Sequence, residues 1–252
     1  MKKIFLYILT GSLCFSACKK DDVIETYKEV ESIDVQNSYD DQAISKFMDE
    51  NYLDAKGNIK PFSATDTADD KEKKLSQLKP VTLPSGTIYI MRDGAQPAVN
   101  NPIKDNDIIR IMGKAYSVLS YDNNKVVSFT SQFTLFNTID GNTVPVVDPM
   151  YYYTKKSILD KATLAIAQKA SYYQIPGFRE ALQKFSAFNL PDDAPYNLQG
   201  VIIVPSRAAF ARNNFYPYSG VDYRNRTFVF NFQVYTKTDR PADEIQTPAQ
   251  QQ

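Results

Sequence analysis

Residues 227–236 read TFVFNFQVYT, and strict alternation sets Phe228, Phe230, Phe232 and Val234 on one face of a strand. Three phenylalanines on one face must be covered, so the fold has to supply a sheet with a layer packed over it. Taken alone, such a stripe is ordinary core. The chain has no covalent staple to help. Its two cysteines, Cys14 and Cys18, both fall within the first eighteen residues, so neither a disulfide nor a thiolate zinc site can hold the remainder together. Burial alone has to stabilise it.

The other elements follow from periodicity. Residues 40–53 (DDQAISKFMDENYL) place Ile44, Phe47, Met48 and Tyr52 on one helical stripe, with Ser38 or Asp40 as N-cap. Residues 63–80 read as a mobile or partly helical connection. Strands are expected at 87–92, at 107–119 with a bulge or bend at Gly113, at 126–136 and at 201–205. Residues 157–170 and 177–188 repeat apolar positions at helical spacing. The Asp/Asn/Gly clusters at 105–107, 122–124 and 140–142 are turn chemistry; none has the spacing of a calcium loop, and no metal is expected. Strands, then helices, then two more strands make an α+β fold with a twisted antiparallel sheet.

The N-terminus reads as an address. Met1-Lys2-Lys3 precedes the apolar run 4–15, too short for a bilayer span of about 20 residues and suited to a secretory signal. Phe15-Ser16-Ala17-Cys18 resembles a bacterial lipobox, which would leave Cys18 lipidated after removal of 1–17. Residues 18–38 then form the tether, 39–84 an N-terminal helical extension, and the Pro/Gln-rich 239–252 a disordered tail. Lys20-Asp21-Asp22 beside Cys18 resembles the surface-export signal of Bacteroidetes lipoproteins. The expected location is thus the outer membrane, at the cell surface, with the periplasmic face second.

Function is bounded by what is missing. With no histidine, Ser-His-Asp triads, Cys-His dyads and HExxH metal sites are excluded. Lys+Arg and Asp+Glu both number 29, so nucleic acid is not expected as a main partner. What remains is aromatic surface: 17 tyrosines and 15 phenylalanines, with no tryptophan. The run Tyr151-Tyr152-Tyr153 could be a glycan-stacking platform, a partner contact or a strand. Asp66-Thr67-Ala68 fits the short O-glycosylation pattern of Bacteroidetes, with Thr67 as acceptor.

Three blocks in order carry a resemblance: 174–182 (QIPGFREAL), 201–211 (VIIVPSRAAFA) and 225–232 (NRTFVFNF). Together they resemble the FKBP-type peptidyl-prolyl isomerase domain, over roughly residues 85–238, and the piece at 40–66 is similar to the prefix of Bacteroidetes FKBP-type lipoproteins. The resemblance implies a half-barrel sheet wrapped round a short helix, with 142–173 as an inserted segment. It implies a proline pocket with Phe178 as the floor in place of the family's Trp. Ile175 would offer its N–H to a substrate carbonyl, Phe210 would stand in the covering loop for the family's Tyr, and Phe230 would line the last strand. Phe129, in Ser128-Phe129-Thr130-Ser131, would match the family's Phe-Asp-Ser stretch, and Tyr116 or Met112 its pocket Tyr; Tyr151, Tyr152 or Tyr153 could add a wall. Thr130 replaces an Asp, and Ala211 a loop Gly.

The implied activity is rotation about X–Pro bonds of exported proteins, slowed by these replacements. The alternative is a catalytically degenerate accessory subunit of an outer-membrane secretion or nutrient-uptake complex. The expected partners are the membrane through Cys18, proline-containing polypeptides and, on the alternative, such a complex, with no cofactor. The chemistry is compatible with the composition, since a barrier of about 18–20 kcal/mol is lowered here by a dry aromatic cup without nucleophile or proton transfer.

Overall fold

The computed structural model describes residues 31–141, 143–218 and 220–251. The signal, Cys18 and the first part of the tether lie outside the described residues.

The architecture is α+β. A seven-stranded, wholly antiparallel sheet runs in the order β3 (Val81–Thr82), β4 (Ile88–Met91), β8 (Gly200–Val204), β9 (Arg226–Thr238), β5 (Ile108–Asn123), β6 (Val126–Asn137); β7 (Val146–Val147) pairs with β5. β1 (Asn51–Leu53) and β2 (Ile59–Pro61) form a separate hairpin. The helices are few: α1 (Ile33–Glu50), α2 (Lys156–Lys161), α3 (Pro176–Leu182) and α4 (Pro248–Gln251).

The Phe stripe organises one face. Phe228, Phe230, Phe232 and Val234 share a buried cluster with Ile109, Ile111 and Ala115 of β5 and with Ile175, Phe178, Ala181 and Leu182 of and beside α3. Register explains the meeting: Ala115 lies opposite Phe230 and Gly113 opposite Phe232. A Cβ on Gly113 would sit 2.3 Å from the Asn231 carbonyl oxygen, so only glycine allows β5 this close to β9. The opposite face is covered by α1 and the hairpin, with Ile44, Leu53, Leu75, Ile90, Val201, Ile203 and Val229 buried together.

Several boundaries differ from the sequence expectation. The helix expected at 40–53 spans 33–50 instead, capped by Ser32, whose hydroxyl accepts from the Val35 N–H. Residues 33–38 are therefore helix rather than tether. Asp40 is no cap. It lies buried in mid-helix and accepts from the Ser206 N–H and hydroxyl and from Gln36.

The helix expected over 157–170 stops at Lys161, with Ala162 extended, and continues as short 3-10 turns at 165–168 and 170–172. The helix expected over 177–188 ends at Leu182, because Phe185 turns in against Phe232, ring centroids 5.0 Å apart, and packs on Gly200.

The tail expected to be disordered is ordered through 251. Arg240 is buried, and Gln246 is buried with bonds to Tyr153 and Thr154. Among the described residues no helix is long and apolar enough to cross a membrane.

Candidate functional site

The aromatic face of the sheet is where four of the implied site residues, Ile175, Phe178, Phe210 and Phe230, converge. Pro176 opens α3, its fixed φ suiting the first helical position. Gly177 then lets the helix press onto the sheet, since a Cβ there would meet Thr87 Oγ1 at 2.3 Å and Val204 Cγ1 at 2.7 Å. This contact drives the Phe178 ring onto Phe230, stacked with centroids 4.0 Å apart. Ile175 is buried beside them. Phe210 joins the same cluster at its far end, packing on Phe215, Tyr223 and Phe228.

The other expected members are elsewhere, which corrects their assignment. Phe129 lies on the opposite face, 5.5 Å from the Phe47 ring of α1. Tyr116 also packs on that face and lines a cavity of about 480 Å³ with Phe47, Asn58, Lys114 and Asn231. Met112, its alternative, lines another depression with Val144 and Pro195. β5 presents Ala115 to the aromatic cluster instead. β6 supplies Phe136, not Phe129; the pair Phe136-Asn137, an aromatic followed by a small polar residue, was the sequence signal available for it.

The hollow between these rings is filled by the chain itself. Tyr151 stacks on Phe136 at 5.7 Å, stands edge-on to Phe178 at 5.8 Å and lies 5.8 Å from Phe230. Its carbonyl accepts the Ile175 N–H at 2.8 Å, the group expected to hold a substrate carbonyl. Tyr152 packs edge-on against Phe178, and its hydroxyl donates to the Lys104 carbonyl at 3.0 Å. Tyr218 closes the top, 6.4 Å from the Tyr151 ring, with its hydroxyl donating to the Tyr173 carbonyl. All of Tyr151, Tyr152 and Tyr153 are buried, so the run is neither a surface platform nor a regular strand.

The electrostatics are those of a dry site. Burial drives the phenols of Tyr151, Tyr152 and Tyr218 well above their ordinary value. Such hydroxyls carry no proton chemistry near neutrality. The arrangement is shaped to hold a ring and a backbone carbonyl. Among the described residues no group of three metal-ligating side chains occurs.

Thr67 is exposed and starts a 3-10 turn capped by Asp66. Ala211 has a backbone φ of +51°, the left-handed conformation that favours glycine.

No family model matches the chain. No curated protein matches it. Solved structures do. FkpA of Escherichia coli is 16% identical over 64% of this chain and 53% of its own, with a TM-score of 0.33. A peptidyl-prolyl cis-trans isomerase of Pseudomonas syringae pv. tomato is 11% identical over 84% of this chain and 100% of its own, at 0.36. A DUF4827 family protein of Parabacteroides distasonis is 13% identical over 81% and 97%, at 0.37. The chain thus spans about half the length of FkpA. Identity is low throughout, so the site is read from this chain's own geometry.

Proposed function

We propose that this chain is an FKBP-like lipoprotein whose peptide hollow is occupied by its own residues, so that it serves as an accessory subunit and not as a working isomerase in this closed form. One observation carries the reading: the Ile175 N–H, the donor that a substrate carbonyl would need, is given to the Tyr151 carbonyl at 2.8 Å while the Tyr151 ring lies among Phe136, Phe178 and Phe230. An X–Pro segment cannot enter without displacing it. The replacements at Phe178, Phe210 and Ala211 point the same way. An exchange-NMR assay on an X–Pro peptide tests the reading; the full chain in detergent should leave the rate unchanged, and acceleration overturns it. Slow isomerisation is the second reading, favoured by the Phe178–Phe230 pair with Ile175 beside it.

Attachment belongs to the same proposal. Lipid on Cys18 would anchor the chain in the outer membrane, facing the cell surface. Firm anchoring needs more than one acyl chain. Fatty-acid labelling that vanishes in Cys18→Ala, with release of the chain from membranes, is the expected result. Thr67 is exposed and accessible to O-glycosylation, which intact mass with and without Thr67→Ala would reveal. Cross-linking in intact membranes should recover a partner complex; a solitary chain would count against the accessory role.

A further inference from the structure

We propose that residues 148–154 are a latched, built-in occupant of the hollow, and that its external ligand is an extended peptide bearing an aromatic side chain. This rests on the reading of the hollow as a peptide site. The occupant itself shows what fits: a six-membered aromatic ring against Phe136, Phe178 and Phe230, and a backbone carbonyl on the Ile175 N–H.

The latch is polar and comes from the far C-terminus. Arg240 is fully buried and grips Asp148 through both guanidinium Nη atoms, one at 2.8 Å, while lying 3.7 Å over the Tyr153 ring. The Gln246 N–H donates to the Tyr153 hydroxyl at 2.9 Å, and its amide Nε2 to the Thr154 carbonyl at 2.6 Å. Lys155 pairs with Glu244 at 3.1 Å. Two features mark the occupied state as incomplete. Asp148 is held at φ +48°, a left-handed conformation uncommon outside glycine that aspartate adopts more readily than most residues. Among the described residues the buried Tyr151 hydroxyl has no hydrogen-bond partner, so phenylalanine would fit the closed state better. An uncommon turn and an orphaned hydroxyl, clamped by one buried ion pair, are what a segment able to leave requires.

The test uses the full chain in detergent and three labelled probes: a peptide with the sequence of residues 150–154, the same peptide with alanine at all three tyrosine positions, and an X–Pro peptide with no aromatic residue. Arg240→Ala strands Asp148 as an unpaired buried charge and should release the segment. Hydrogen exchange at the Ile175 amide should then rise at least about tenfold over that of the β8 amides. Affinity for the aromatic peptide should rise at least about tenfold over wild type, because the competent fraction sets the apparent affinity. The alanine version should not gain.

Should Arg240→Ala fail to fold, Gln246→Ala provides the same readouts with a smaller gain expected. Equal rises at Ile175 and in β8, or no rise at either, overturn the latch. Binding of the alanine version as tightly as the aromatic one, or of the X–Pro peptide alone, overturns the aromatic ligand but leaves the peptide site standing. An opened variant that binds none of the three removes the peptide site itself.

Discussion

Both faces of strand β9 bury apolar side chains, but one is almost wholly aromatic packing and the other adds directed hydrogen bonds. Phe228, Phe230, Phe232 and Val234 point into rings packed on rings, where no bond has a direction and area alone counts. On the other face Asn231 and Gln233 act as posts. The side-chain Oδ1 of Asn231 accepts from the Ile59 N–H at 3.1 Å, its Nδ2 donates to the Gly57 carbonyl at 2.9 Å, and the Gln233 Oε1 accepts from the Asn197 N–H at 2.8 Å. One face can exchange one aromatic occupant for another of similar shape. The other fixes its covering loops by hydrogen bonds that no substitute reproduces. A ligand site belongs on the first kind of surface and a scaffold on the second.

The largest expected effect tests the aromatic face. Phe178→Ala should cost about 3–5 kcal/mol of unfolding free energy, the loss typical of emptying a packed phenylalanine site. Phe129→Ala, on the half-buried opposite side, should cost roughly 1–2 kcal/mol. Chemical denaturation of both variants decides. Equal losses would erase the distinction between the faces.

The next effect tests the posts. Asn231→Ala leaves the Ile59 N–H and the Gly57 carbonyl without partners and should cost about 2–3 kcal/mol. Limited proteolysis should then cut first at the 54–58 turn of the β1–β2 hairpin. A loss below about 0.5 kcal/mol, within the range of an inert surface change, would mean that apolar packing alone holds the hairpin.

The sheet was readable because its signal is local. Strict alternation at 227–236 and the apolar run at 201–205 need no tertiary information to be recognised as strands. The beginning of α1 was not readable, since that helix buries a narrow seam that includes Gln36 and Asp40, and a polar seam has no apolar period. Phe178 and Phe230 could be paired by resemblance, but Phe129 could not be told from Phe136. The register of β6 shifts twice against β5, and each shift changes which side chains face the aromatic cluster. Tyr151 was open to several roles because its place depends on Arg240, about ninety residues away, in a tail whose composition suggests disorder. Composition cannot register one buried ion pair.

A smaller effect sharpens the loop over the aromatic face. Ala211 holds φ +51° because its N–H must reach the Ser206 carbonyl and its own carbonyl must take the Asn225 N–H. A non-glycine residue pays about 1–2 kcal/mol for this conformation, partly offset by the smaller backbone freedom of unfolded alanine. Ala211→Gly should therefore raise stability by roughly 0.5–1 kcal/mol, read as a higher denaturation midpoint at unchanged slope. Destabilisation would mean that the Ala211 methyl packs usefully in the loop.

The smallest effect lies where α1 meets the sheet. Burial raises the Asp40 carboxyl above its ordinary value, against hydrogen bonds from Ser206, Ser120 and Gln36 that lower it. The net shift favours the protonated form in the fold. Its contribution is full below the ordinary carboxylate range and fades as pH climbs through the raised value. Asp40→Asn has no such proton to lose. The stability of the variant relative to wild type should therefore improve as pH rises above the ordinary carboxylate range. Opposed causes keep this slope shallow, so paired denaturation curves below and above that range are needed. Parallel pH profiles would show that Asp40 carries the same charge folded and unfolded, and that only its hydrogen bonds tie the helix to Ser206.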